Sequence, residues 1–146
     1  AYVFSFEEFL TLATSGSNGT DALTERLSHV TAECCAVIAF TSGATQHPRP
    51  VMFSHDNLVF AAWAFASGVG LSSLAEADGN VRLVSHMSLG DVSYIVQDIV
   101  LPVVSLTKCN VNMVTYFSKS NDDTVALMQY AKPTLMMGSP SHWRAI

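Results

Sequence analysis

Charge is scarce in this chain. Only 13% of its 146 residues are Asp, Glu, Lys or Arg, and the acidic ones prevail, giving a formal net charge of -5. Nucleic-acid binding calls for a basic face, which this composition does not supply, so no nucleic-acid partner is expected. Cysteine is scarce as well. Cys34, Cys35 and Cys109 show neither metal-ligand nor disulfide spacing. Adjacent Cys34 and Cys35 would point to opposite faces of a strand, and buried, reduced thiols of a reducing compartment are expected. His29, His47, His55, His86 and His142 are scattered without paired ligand spacing, so no metal site is expected. No charged-then-apolar leader follows Ala1, which reads as the absence of a signal peptide. Asn18-Gly19-Thr20 then reads as a turn and not as a glycosylated sequon. Ser42 has no accompanying His and Asp pattern to make it a hydrolase nucleophile.

What the chain has is apolar surface. Nearly half of it, 49%, is hydrophobic, enough for one modest domain with a real core and too much for a disordered tail. Asn57 to Ala75 carries no charge and approaches the length of a membrane span. Ser67, Gly68, Gly70, Ser72 and Ser73 interrupt it, so a buried helix ending near Gly68 is expected rather than a transmembrane segment. Trp63 and Phe65 on that helix read as core, and Trp143 as structural packing. Asp98 lies on an apolar helix and needs a buried hydrogen-bond partner there.

The chain is organised around residues 35–57. Ala36 to Phe40 is a short apolar run suited to a buried parallel strand. Thr41 to Thr45 are small, with hydroxyl and backbone N–H groups that can face one anionic ligand. Ser54 is a good N-cap, Asp56 falls in the first turn of the helix that follows, and His55 joins that turn. The loop is not a Walker A sequence, since no Gly-Lys-Ser/Thr follows Gly43 at the required spacing.

The remainder alternates. Tyr2 to Phe4 reads as a short strand, Ser5 as the cap of a helix through Leu12, and Thr20 to Val30 as a helix with Leu23, Leu27 and Val30 on one face. Asp78-Gly79-Asn80 signals a turn. Val81 to Ser85 reads as a strand, and Asp91 to Leu101 as a helix stopped by Pro102. Val111 to Phe117 reads as a third strand, followed by a helix capped by Asn121 or Asp122 and ended by Lys132-Pro133. Thr134 to Met137 reads as a fourth strand, and Pro140 to Ile146 opens another helix. Four strand–helix alternations predict an α/β fold with a mainly parallel sheet and helices on both faces. Ligands of such sheets gather at the carboxyl ends of strands, where Thr41, Ser85 to Asp91 and Gly138 to Ser141 fall. No internal repeat or linker is visible, so 1–146 reads as one domain.

Residues 41–57 resemble the first core motif of adenylate-forming enzymes, Thr-Ser-Gly-Thr-Thr-Gly-x-Pro-Lys-Gly-Val-Met followed by x-Ser-His-x-Asn. Thr41, Ser42, Gly43, Thr45, Pro48, Val51, Met52, Ser54, His55 and Asn57 match it. Ala44, Gln46, Arg49 and Pro50 depart from it, standing where the motif has Thr, Gly, Lys and Gly. Residues 84–102 resemble the Val-Ser-Tyr-Leu-Pro-Leu-Ser-His segment with its helix, and residues 132–143 resemble Lys-Pro-Thr-x-x-x-Gly-Val-Pro-x-x-Trp. Residues 4–9 resemble Tyr-Ser-Trp-x-x-Phe. In order and spacing the chain is most similar to bubblegum-type long-chain acyl-CoA synthetases.

The resemblance implies part of an AMP-binding (adenylation) domain, with the rest of a parent chain as its partner. It implies ATP with Mg2+, a long-chain fatty acid and coenzyme A as co-substrates, and a cytoplasmic enzyme associated with the endoplasmic reticulum. It assigns the phosphate loop to Thr41, Ser42, Gly43, Ala44, Thr45, Gln46 and Arg49, and the substrate pocket to Asp91, Gly138 and Ser139. Arg49 keeps the cation but is bulkier and planar. Ala44 removes a hydroxyl donor, Gln46 a glycine, and Pro50 an N–H. Asp91 puts a carboxylate where the family has His, and that charge opposes phosphate. A non-catalytic relative kept for binding or interaction, and an unrelated nucleotide-binding α/β module, are the alternatives. The Tyr-Gly-x-Thr-Glu adenine motif and the C-terminal domain with its catalytic Lys are not found in these residues, so this stretch alone is not expected to complete either half-reaction.

Overall fold

The computed structural model describes residues 5, 7, 8, 10, 11, 19–42, 47–75 and 79–144. The strand expected at Tyr2 to Phe4 and the loop residues Gly43, Ala44, Thr45 and Gln46 lie outside them. Two compact units are present, Ala1–Cys34 and Cys35–Ile146.

In the first unit, Ser5 and Glu8 form a reciprocal cap. Glu8 N–H donates to Ser5 Oγ at 3.2 Å and Ser5 N–H to Glu8 Oε2 at 2.7 Å. These bonds to Ser5 hold the Glu8 carboxyl below its ordinary range. Helix α1, Gly19–Ser28, follows, and the expected apolar face of Leu23, Leu27 and Val30 is exposed.

The second unit opens with an antiparallel hairpin, β1 (Cys35–Phe40) and β2 (Pro50–Ser54), in which Phe40 pairs with Pro50 and Ile38 with Met52. Strand β2 stands where a loop was expected. Pro50, which removes a donor, is tolerated because it is the strand's first residue. The cysteines are free but not buried: Cys35 is exposed on the hairpin, and Cys34 and Cys109 are half-buried. Ser54 then caps helix α2, His55–Gly68, in a capping box with Asn57, and α2 ends at Gly68 as expected. A short helix α3, Leu71–Leu74, leads toward β3, Asn80–Ser85, with Gly79 at φ +76° serving the turn before it.

From Val92 to Cys109 the chain is one continuous helix in three parts: α4 (Val92–Ile95), a π-helical turn (Val96–Val100) and α5 (Leu101–Cys109). The stop expected at Pro102 does not occur. Pro102 has no N–H and its ring would press on the carbonyl four residues back. The wide turn just before it, in which Leu101 N–H reaches Val96 O, makes room for it within the helix. By length and apolarity this helix meets the requirement for a membrane span. Leu101, Val104 and Ser105 on it are buried, and α5 packs on α2 and on β4, as a core helix does.

Strand β4, Asn112–Phe117, pairs in parallel with β3, from Asn80 beside Asn112 to Ser85 beside Phe117. Helix α6, Asn121–Ala131, is capped by Ser120, one residue earlier than expected, and Lys132 in the left-handed region before Pro133 ends it. The fourth strand reduces to one parallel bridge, Leu83 to Leu135. Arg82 N–H is taken by Thr134 Oγ1 at 2.9 Å instead of by a backbone carbonyl, so a regular ladder does not start. Helix α7, Pro140–Trp143, follows.

Side chains alternate across β3. Val81 and Leu83 join Ala62, Ala66, Leu101 and Val104 in the core cluster, beneath α2 and α5. Arg82 points the other way, and its Nε donates to Ala131 O at 2.9 Å at the end of α6. Helices therefore flank both faces of this pair, and the fold is α/β. Among the described residues one strand pair is parallel and the other antiparallel.

Candidate functional site

The open end of the hairpin holds the described part of the expected phosphate loop. Thr41 N–H donates to Arg49 O at 3.0 Å, and Arg49 N–H donates to Thr41 Oγ1 at 3.1 Å. This pair extends the hairpin beyond Phe40 and Pro50 and brings Thr41, Ser42 and Arg49 to one exposed end. The Thr41 oxygen accepts from Arg49, so the hydroxyl keeps its proton to donate elsewhere.

Asp91 caps α4. Its Oδ1 accepts from Ser93 N–H at 2.8 Å. The bond from the Ser93 backbone, followed by that from its side chain, holds the carboxyl below its ordinary range against the small opposing effect of burial. Asp91 is thus committed to placing the first turn of α4. That turn carries Ser93 and Tyr94. Burial, then the charges of Asp91 and Asp98, raise the Tyr94 phenol and keep it a donor.

Two cavities meet at that turn. The larger, about 670 Å³, lies between β2, α2 and the start of the Val92–Cys109 helix. Its walls include Met52, Phe53, Leu58, Phe65, Val96 and Met137, with Asn57, Ser93 and Gln97 as the polar side chains. Such a volume falls in the range of small-molecule sites, roughly 300–1,000 Å³. The smaller, about 350 Å³, is lined by Ser93, Tyr94, Met136, Met137, Gly138, Ser139 and Trp143. Ser93 and Met137 belong to both. Of the expected substrate-pocket residues, Gly138 and Ser139 are brought together in the smaller cavity. Asp91 lines neither and acts on both through Ser93. Trp143, expected as packing, is half-exposed, and its Nε1–H donates to Gly138 O at 3.1 Å, fixing the turn.

Phe65 lines the larger cavity, whereas Trp63, expected in the core, is half-exposed beside Phe60 on the outer side of α2. The larger cavity was not anticipated from the sequence, although the motif residues Met52 and Asn57 line it. Its polar wall residue Gln97 adjoins Asp98 in the π turn, and both are buried, at 4% and 3% exposure. The buried hydrogen bond expected of Asp98 is present. Ser85 Oγ donates to Asp98 Oδ2, and Gln97 Nε2 donates to Oδ1 at 2.9 Å. The pair ties the end of β3 to the cavity wall. No group of three or more His, Cys, Asp or Glu able to hold a metal occurs among the described residues.

The profile of the AMP-binding enzyme family matches residues 3–146. Among curated proteins the chain is similar to the long-chain-fatty-acid–CoA ligase ACSBG2 of Homo sapiens, 28% identical over 99% of this chain and 20% of that protein. The Gallus gallus protein of that name is 30% identical over 98% of this chain and 18% of its own length. The Drosophila melanogaster long-chain-fatty-acid–CoA ligase heimdall is 30% identical over 87% and 18%. The chain thus spans about a fifth of the length of the curated relatives it matches. Among solved structures, o-succinylbenzoate CoA synthetase (MenE) from Bacillus subtilis, in complex with the acyl-adenylate OSB-AMP, superposes with a TM-score of 0.62 at 17% identity. That match covers 80% of this chain and 28% of the other.

Proposed function

From a chain that belongs to the AMP-binding enzyme family, we propose that these residues form part of a bubblegum-type long-chain fatty acid–CoA ligase. In that reaction a fatty acid carboxylate oxygen attacks the α-phosphorus of ATP, carried with Mg2+, and the bond to pyrophosphate breaks. The thiol of coenzyme A then attacks the acyl carbonyl, AMP leaves with the bonding pair, and the thiol proton passes to solvent. The observation that carries this reading is the apolar 670 Å³ cavity bounded by β2 and α2, the elements that directly follow the phosphate-type loop. An alkyl chain fits such walls, and the hairpin end offers the donors that phosphate requires. Thr41 and Ser42 would donate hydroxyls, and Arg49 would supply the cation that the family draws from Lys, with a fork able to hold two phosphate oxygens. Gly138 and Ser139 would border the substrate. The proposal includes a cytoplasmic location beside the endoplasmic reticulum, to which the free cysteines are suited.

A second reading, a non-catalytic relative that retains the cavity, is favoured by Asp91 and by the four loop departures. The experiment is fatty-acid-dependent pyrophosphate–ATP exchange by the complete natural chain and by a revertant carrying Ala44→Thr, Gln46→Gly, Arg49→Lys and Pro50→Gly. Exchange by the natural protein is the expected result. Exchange by the revertant alone would move the conclusion to the non-catalytic relative. Exchange by neither, in folded protein that binds fatty acid, would sink the ligase reading.

A further inference from the structure

Ser93 and Met137 line both cavities, and so form the partition between them. The two sides of that partition are held differently. Ser93 sits in the first turn of α4, and its N–H is bonded to Asp91 Oδ1 at 2.8 Å, so its side is fixed. Met137 lies just beyond the bridge at Leu135, in a segment outside any helix or strand. Leu135 packs against the core cluster, and Met136 lines the smaller cavity alone. Alternation along the segment therefore returns Met137 to the side of Leu135, toward α2 and the larger cavity. Met137 is half-buried, so its side chain is open to the spaces it borders.

Resting on the reading of the larger cavity as an acyl site, we propose that one acyl ligand threads both cavities through a neck between Ser93 and Met137, and that Met137 makes the site specific for unbranched chains. The apolar walls of the larger cavity suit the tail. Tyr94 and Ser139 border the smaller cavity, the more polar of the two, which suits the carboxyl end. A linear chain is no wider than a methylene along its length. The methionine side chain, unbranched and flexible, can turn aside for it. A methyl branch at the neck widens the chain where the Ser93 side cannot retreat, and forcing an extra methyl group between packed walls is unfavourable. A branch elsewhere lies in the wider part of either cavity and meets no such constriction. Met137 is thus a specificity-determining residue, acting by cross-section.

The test is calorimetric binding of hexadecanoate and of a positional series of monomethyl-branched hexadecanoates to the complete natural chain. Affinity is expected to fall about tenfold at the branch position that meets the neck, and to stay near that of hexadecanoate elsewhere. Met137→Ala should restore binding at that position and leave the rest of the series as it was. Met137→Phe, which narrows the neck, should deepen the fall at the same position. A series with no position-specific fall in the unsubstituted protein overturns the proposal whether or not the variants fold, and leaves the acyl site standing. A fall that either folded variant leaves unchanged puts the constriction elsewhere and overturns it too. Binding of none of these chains overturns both the proposal and the acyl site.

Discussion

The hairpin β1–β2 and the parallel pair β3–β4 start from similar material and end in different surroundings. Strand β1 reads Cys-Ala-Val-Ile-Ala-Phe and β3 reads Asn-Val-Arg-Leu-Val-Ser. The hairpin is the more apolar, yet Phe40 is 66% and Met52 71% exposed, whereas Val81, Leu83 and Val84 are wholly buried. The difference lies in cover. β3 has β4 on one edge, the Leu135 bridge on the other, and helices on both faces. Among the described residues the hairpin pairs only within its own two strands, and its main contact with another element is that of β2 with α2. Periodicity and β-propensity mark a strand, but not what packs on it. Exposed apolar area of this kind is where ligands or further polypeptide bind.

The sharpest way to break this comparison is to truncate equivalent positions. Leu83→Ala should cost about 2–5 kcal/mol in urea unfolding, because it empties a fully enclosed volume. Ile38→Ala, at a position 55% exposed, should cost less than about 1 kcal/mol. Equal losses would mean that the hairpin is covered in the complete natural protein.

Polar groups should follow the same division. Asp98→Ala strands Ser85 Oγ and Gln97 Nε2 in the interior, and should cost about 1–3 kcal/mol for the groups left unpaired. If the variant unfolds with the parent's midpoint and slope, the network carries no stability and its role in shaping the cavity wall loses its support.

How much was legible follows this line too. The helix bounded by Ser54 and Gly68, the strand from Val81, the helix stop at Lys132-Pro133 and the partner demanded by Asp98 were all readable, because each rests on local chemistry. Strand β2 was not, since its pairing with β1 spans a loop whose closure no short-range pattern reports. Nor was the passage of the helix through Pro102, which depends on a π turn. The larger cavity escaped because its walls are ordinary apolar residues drawn from β2, α2, the Val92–Cys109 helix and Met137. Asp98, a carboxylate expected to need a buried partner, was the nearest readable sign beside the motif residues Met52 and Asn57 that line the cavity.

Asp91 stands between the two regimes, exposed but structurally engaged. Asp91→Ala should cost about 1 kcal/mol at neutral pH, the usual worth of an N-cap. Its carboxyl is held below the ordinary range in the folded protein. The cap's stability is therefore fully present above the ordinary carboxylate range and is lost as pH falls through the folded value. Urea midpoints of the parent and the variant should differ at pH 7 and converge in strong acid. A gap that persists undiminished in acid would show that the ionised cap is not its source.

The smallest effect on stability should come from Thr41→Val, and that is its use. Valine keeps the shape and β-branching, and both partners of the lost bond, Thr41 and Arg49, lie at the exposed hairpin end. Water can replace the lost acceptor, so unfolding should change by no more than about 0.5 kcal/mol. If the hydroxyl donates to phosphate, however, the variant loses a hydrogen bond to a charged group, worth about 1.5–3 kcal/mol. That corresponds to a fall of roughly tenfold or more in pyrophosphate–ATP exchange. At Leu83, activity should fall only as far as the folded fraction falls. At Thr41, activity should fall while the folded fraction holds. Unchanged exchange at Thr41 would remove that hydroxyl from the phosphate site, and a matching loss of fold would make it part of the hairpin's structure.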